Sequence, residues 1–103
     1  MRFMVKCKIP VEAANARIVD GTLVTQLMKY VDEAKPENVY LTLSHGQRTM
    51  YFVLNVPGED KLPALLEPLW LDWKADVYVA PAMTLADFEK AGPDLQRVAE
   101  ERR

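Results

Sequence analysis

The chain has 103 residues, half of them hydrophobic and 27% charged, which is the composition of an ordinary globular protein. A net charge of −2 and a pI near 5.4 lack the basic footprint of a nucleic-acid binder and argue against that class. No run approaches the ~20 apolar residues needed to span a bilayer, and the lone cysteine, Cys7, permits no internal disulfide.

Lys6 and Lys8 interrupt the N-terminal stretch where a signal peptide needs unbroken apolar residues, so a reducing, cytoplasmic setting is expected. The length predicts one α+β domain, with a core over residues 1–84 and a helical tail over 85–103.

Phe3, Val5, Cys7 and Ile9 alternate with Met4, Lys6 and Lys8, the period of a half-buried strand, and Pro10 ends it. From Val11 to Ala34 the period becomes helical, with Val24, Leu27, Met28, Val31 and Ala34 on one stripe. Asp20-Gly21 predicts a kink or a division into two pieces, and Lys35-Pro36-Glu37-Asn38 closes the segment. Strands follow over Val39–Ser44 and Met50–Val56, joined by a hairpin link His45-Gly46-Gln47-Arg48.

Pro57-Gly58 stops the third strand, and Leu62, Leu65, Leu66 and Leu69 then recur at helical spacing. Pro63 suits a first turn, whereas Pro68 predicts a break near Glu67 and an irregular stretch holding Trp70 and Trp73. A fourth strand is expected over Val77–Ala80, ending at Pro81. The tail from Leu85 is helix-prone behind a Thr84 cap, and Gly92-Pro93 is expected to divide it. The order is that of a ferredoxin-like βαββαβ unit, a four-stranded antiparallel sheet with helices on one face.

Sorting strand residues by parity separates two faces. Phe3, Val5, Cys7, Ile9, Val39, Leu41, Leu43, Met50, Phe52, Leu54, Val56, Val77 and Val79 are nearly all apolar and are expected under the helices. The opposite set includes Met4, Lys6, Lys8, Tyr40, Thr42, Ser44, Tyr51, Val53, Asn55, Tyr78 and Ala80. That face is amphipathic, and a monomer seldom leaves such a surface in water. Pairing two such faces predicts a homodimer enclosing a space lined by Tyr, Lys, Ser, Thr and Asn.

Lys6 and Lys8 suit an organic anion on this face, or they reach for the rim. Tyr40, Tyr51 and Tyr78 suit stacking on a flat ligand, or the core of an interface. His45 is the only histidine and so the only ordinary general base near neutral pH, although it lies in a hairpin link. Cys7 falls in the helix-facing set, as an inert core thiol does. Trp70 and Trp73 can line a cavity mouth or fill a core. There is no phosphate-cradling glycine loop, no dinucleotide fingerprint and no Cys/His metal spacing, so neither metal nor cofactor is expected. The RNA-recognition fold shares this topology, but Arg48-Thr49-Met50-Tyr51-Phe52-Val53-Leu54-Asn55 lacks its glycine.

Several segments together resemble the dimeric α+β barrel superfamily, including small muconolactone isomerase-like proteins and an uncharacterised domain family of the same build. They are Phe3-Met4-Val5-Lys6, Gly46, Tyr51-Phe52-Val53-Leu54-Asn55-Val56-Pro57, Leu66-Glu67-Pro68-Leu69-Trp70 and Val79-Ala80-Pro81-Ala82-Met83-Thr84. The resemblance implies dimers or rings of dimers, and a cofactor-free isomerisation or oxygenation of a small aromatic or lactone-like organic acid. On that reading Lys6, Lys8, Tyr40, Ser44, Tyr51, Asn55, Tyr78 and Trp70 contact the substrate, and Lys6, Tyr51 or His45 moves a proton. Gln47 stands where the isomerase pattern has a histidine after the hairpin glycine. The competing expectation is a non-catalytic binding or interaction protein whose tyrosine face serves only assembly.

Overall fold

Alternation produces the strands wherever it was expected. The computed structural model describes residues 1–103: β1 (Arg2–Lys8), α1 (Val11–Val19), α2 (Leu23–Ala34), β2 (Asn38–Ser44), β3 (Gln47–Asn55), α3 (Leu62–Trp73), β4 (Asp76–Pro81) and α4 (Leu85–Glu100). The four strands form one antiparallel sheet in the order β2-β3-β1-β4. With helices against one face, this is the ferredoxin-like α+β architecture. No helix is long and apolar enough to cross a membrane.

The core lies between the sheet and the helices. Val5, Cys7, Phe52 and Leu54 from the two central strands are fully buried against Ala14 of α1, Tyr30 of α2, and Leu66, Leu69 and Trp73 of α3. Tyr30 is the wedge that joins the helices over β3. Its ring meets Phe52 with centroids 4.9 Å apart and the edge of Trp73 at 6.2 Å. Its hydroxyl donates to the Leu65 carbonyl at 2.7 Å, so the one polar tip of the wedge is satisfied.

The expected interruption at Asp20-Gly21 separates α1 from α2. Gly21 takes φ +77°, a conformation that side chains with a Cβ rarely adopt, and the Asp20 carboxylate accepts from the Thr22 backbone N–H at 2.9 Å. The hairpin is tighter than expected. His45 and Gly46 alone form the loop, both with positive φ (51° and 74°), which is the type I′ geometry that matches strand twist. Gln47 and Arg48 belong to β3, not to the link.

Two expected helix breaks do not occur. Helix α3 continues through Pro68 to Trp73, and α4 continues through Gly92-Pro93. Proline removes one intrahelical donor, but three apolar side chains of α3 (Leu66, Leu69 and Trp73) are buried, and their packing outweighs that loss. In α4 the carbonyl freed by Pro93 faces water, where it costs little.

A third correction concerns the sheet edges. Leu41 and Leu43 share the core-facing parity, yet remain 67% and 68% exposed, and Val79 on β4 is also exposed. Tyr30 and Trp73 hold the helices over β1 and β3, and a twisted sheet carries the ends of its edge strands away from them.

Helix α4 stands apart. Thr84 and Asp87 form a capping box, each side chain accepting from the other's backbone N–H at 3.1 Å, and Arg2 of β1 lies 3.6 Å from Asp87. Beyond that anchor α4 buries no residue, and the molecule measures 60 × 29 × 20 Å.

Replacing Pro68 with Ala restores a backbone donor to an intact helix, so P68A is expected to stabilise the fold by ~1–3 kcal/mol in urea unfolding. The hydrogen bond from the Thr84 backbone, then that from its side chain, holds the Asp87 carboxyl below its ordinary value. A depressed folded-state value stabilises above the unfolded pKa of about 4 and loses that contribution as pH falls through the folded value. The helical circular-dichroism signal is therefore expected to decline in acid, and to decline less in Asp87→Asn.

Candidate functional site

The face of the sheet opposite the helices carries the candidate site. Cross-strand register places Tyr40 opposite Tyr51, Tyr51 opposite Lys6, and Lys6 opposite Tyr78, so one row of four side chains runs across all four strands. The Lys6 ammonium lies 5.5 Å from the centroid of the Tyr78 ring, within cation–π range. Tyr40 and Tyr78, on the edge strands, are 60% and 54% exposed, while Lys6 and Tyr51 on the central strands are half-buried.

The next row toward the hairpin holds Thr42, Thr49, Lys8 and Asp76. Here the tight turn has a consequence that sequence spacing did not reveal. It folds His45 back so that its Nδ1 lies 3.4 Å from the Lys8 Nζ and 3.2 Å from the Ser44 Oγ. An ammonium has only donors, so its approach makes Nδ1 the acceptor and leaves the imidazole hydrogen on Nε2. His45 thus presents an N–H donor at the rim of the face, positioned by a lysine 37 residues earlier in the chain.

Gln47 pairs with Ser44 at the same end, and its side-chain oxygen is buried without a hydrogen-bond partner. An unpaired buried acceptor carries a desolvation cost. Neither Gln47 nor Thr49, which is fully buried with its hydroxyl on the Gln47 carbonyl, was singled out as a site residue from the sequence. Assigning both to β3 and applying the same parity rule would have found them.

The structure therefore brings together Lys6, Lys8, Tyr40, Ser44, His45, Tyr51 and Tyr78. It does not bring in the other two. Asn55 lies four residues beyond Tyr51, ~13 Å along the strand, where it pairs with Arg2 and faces the N-terminal ammonium at 3.4 Å. Trp70 lies on α3, on the helix side of the sheet, beside Leu62, Leu66 and Glu67. Continuation of α3 through Pro68 is what carries it there.

Other polar groups are structural. Burial pushes the Cys7 thiol up to about 12, so it holds its proton and is a poor nucleophile. Burial also raises the Tyr30 hydroxyl above its ordinary range. At the far end of the sheet Arg2 donates to both Glu37 carboxylate oxygens at 3.0 and 3.1 Å, and this bond, with the charge of Glu37, raises the guanidinium further. No three His, Cys, Asp or Glu side chains converge to hold a metal ion.

The class defined by this fold is the ferredoxin-like α+β group, with a polar-aromatic sheet face left open by its helices. No family model matches the sequence, and no curated protein matches it. Among solved structures it is similar to the 5-chloro-2-hydroxyhydroquinone dehydrochlorinase TftG of Burkholderia phenoliruptrix AC1100, determined with 2,5-dihydroxybenzoquinone. The two share 15% identity at a TM-score of 0.62, over 81% of this chain and 94% of that one. At that identity the likeness shows the fold alone. A de novo designed protein, Ferredog-Diesel, also aligns, with 8% identity and a TM-score of 0.48 over 79% of this chain and 85% of its own.

Burial of Cys7 makes a direct forecast. A thiol reagent such as DTNB at pH 8 is expected to leave the native protein unlabelled and to titrate one thiol in guanidinium; rapid native labelling would contradict this placement.

Proposed function

We propose that two copies of this chain pair through their open sheet faces and hold, between them, a small aromatic or lactone-like organic acid. The observation that carries this reading is the row Tyr40–Tyr51–Lys6–Tyr78, a cation flanked by aromatic rings across the whole sheet. Tyrosine rings supply flat apolar walls with polar tips, and a lysine supplies a point charge for a carboxylate or phenolate. On a single copy this face is open. A second sheet turns it into a chamber and removes the half-exposed tyrosines from water.

Within that chamber Lys6 binds the anionic group, Tyr51 and Tyr78 stack on or hydrogen-bond the ring, and Lys8 with Ser44 orients His45. His45 Nε2–H donates to a ligand oxygen, and Tyr51, a cross-strand partner of Lys6, moves a proton. Such chemistry requires no cofactor: an isomerisation shifts one proton between two positions of the same ligand. Two features support a small hydroxylated or carboxylated ring as ligand. One is the composition of the row, and the other is that TftG, built on a similar fold, was determined with a dihydroxybenzoquinone. Exposed tyrosines on both edge strands equally favour a second reading, in which the faces pack dry and the protein is an assembly module without a ligand.

Thermal-shift screening separates the two. Benzoates, hydroxyquinones and lactone acids at about 100 times Kd are expected to stabilise the protein by ~2.7 kcal/mol, or a rise in melting temperature of roughly 10–20 °C. Lys6→Met should abolish the shift for anionic ligands while leaving the unliganded melting temperature nearly unchanged. A panel that produces no shift in the unmodified protein, with a dimer present in sedimentation, would establish the assembly reading instead.

A further inference from the structure

Helix α4 and the β2 edge are both apolar and both unpartnered. Leu85, Phe88, Ala91, Leu95 and Val98 recur at spacings of three and four, one stripe along the helix. Phe88 and Leu95 are 51% and 50% exposed, and no residue of α4 is buried. Leu41, Val24 and Leu27 line an apolar groove of about 220 Å³ between α2 and β2, floored by Ile9 and Met50. One chain thus carries a helix without a groove and a groove without a helix.

Symmetry brings the two together, on the sheet-to-sheet pairing proposed above. A two-fold axis parallel to the strands closes two four-stranded sheets into a barrel, and it sets the β4 edge of each copy against the β2 edge of the other. Helix α4 follows β4 directly, and Arg2, on the open face, anchors its first turn through Asp87. Its 16 residues reach ~24 Å, enough to run the length of the partner's β2 edge.

The arm supplies apolar surface beyond the sheet plane, starting directly after the β4 edge.

We infer that α4 is an exchanged arm, which crosses to a second copy of this chain and lays Phe88, Leu95 and Val98 in the groove between its α2 and β2. Disulfide trapping tests the contact with full-length chains. Val24→Cys and Leu95→Cys, each made alone and then mixed, can link to one another only between subunits, and Cys7 is buried and does not compete. The mixture is expected to give mainly the mixed pair. Predominant Leu95→Cys self-linkage would show that two α4 helices pair with each other, and absence of linkage would show no contact; either overturns the arm.

Sedimentation equilibrium supplies the second measurement. Leu95→Asp is expected to raise the dimer Kd at least tenfold with an unchanged circular-dichroism spectrum, since α4 buries nothing within its own chain. A dimer with unmoved Kd overturns the arm and leaves the sheet pairing standing. An unmodified chain that is monomeric at 100 µM overturns both.

Discussion

A slip of one residue in β1 would turn Val5 and Cys7 out to water and bring Lys6 and Lys8 into the core. Everything else depends on that register. β1 is a central strand, bonded to β3 on one side and β4 on the other, so both ladders must agree on its phase. Burial of Val5, Cys7, Phe52 and Leu54 enforces it, because an ammonium in their place would be desolvated without a partner. The same phase sets Lys6 between Tyr51 and Tyr78, so the core and the candidate site are two faces of one constraint.

The helix side is stabilised by a few large side chains. Tyr30, Phe52 and Trp73 form a contiguous aromatic cluster tying α2 and α3 to the middle of the sheet. Concentrating helix cover there leaves the sheet's edges thinly protected, with exposed leucines on β2 and exposed Val79 on β4. Exposed edges and an open second face are features that natural sheets usually cover. The polar-aromatic composition of the open face, and the apolar stripe on α4, are the chain's own means of covering them on the reading proposed here.

The strands, their order along the chain and the division of their residues into two faces were legible in the sequence, because period-two alternation survives in Phe3–Ile9, Tyr51–Val56 and Val77–Val79 regardless of what packs on it. Proline was the poorest guide. Pro68 and Pro93 each predicted a break that the helices do not show, since local propensity yields where an apolar face is buried, or where the freed carbonyl is simply solvated. The consequence reached the site: Trp70, expected in an irregular segment near the pocket, rides α3 on the other side of the sheet.

The candidate site was half legible. Parity alone grouped Lys6, Tyr40, Tyr51 and Tyr78, because side chains of one parity share a face whatever the sheet order. Their alignment in a single row required the register, which depends on pairings between strands as far apart as residues 6 and 78. The Lys8–His45–Ser44 cluster needed the two-residue turn, and the exposure of Leu41 and Leu43 needed the positions of the helices. Sequence by itself determined which residues seek water and which avoid it, since that is a property of each side chain and its strand phase. Which of them meet was decided only by tertiary structure, because contact depends on distances that the chain acquires when its separate elements pack.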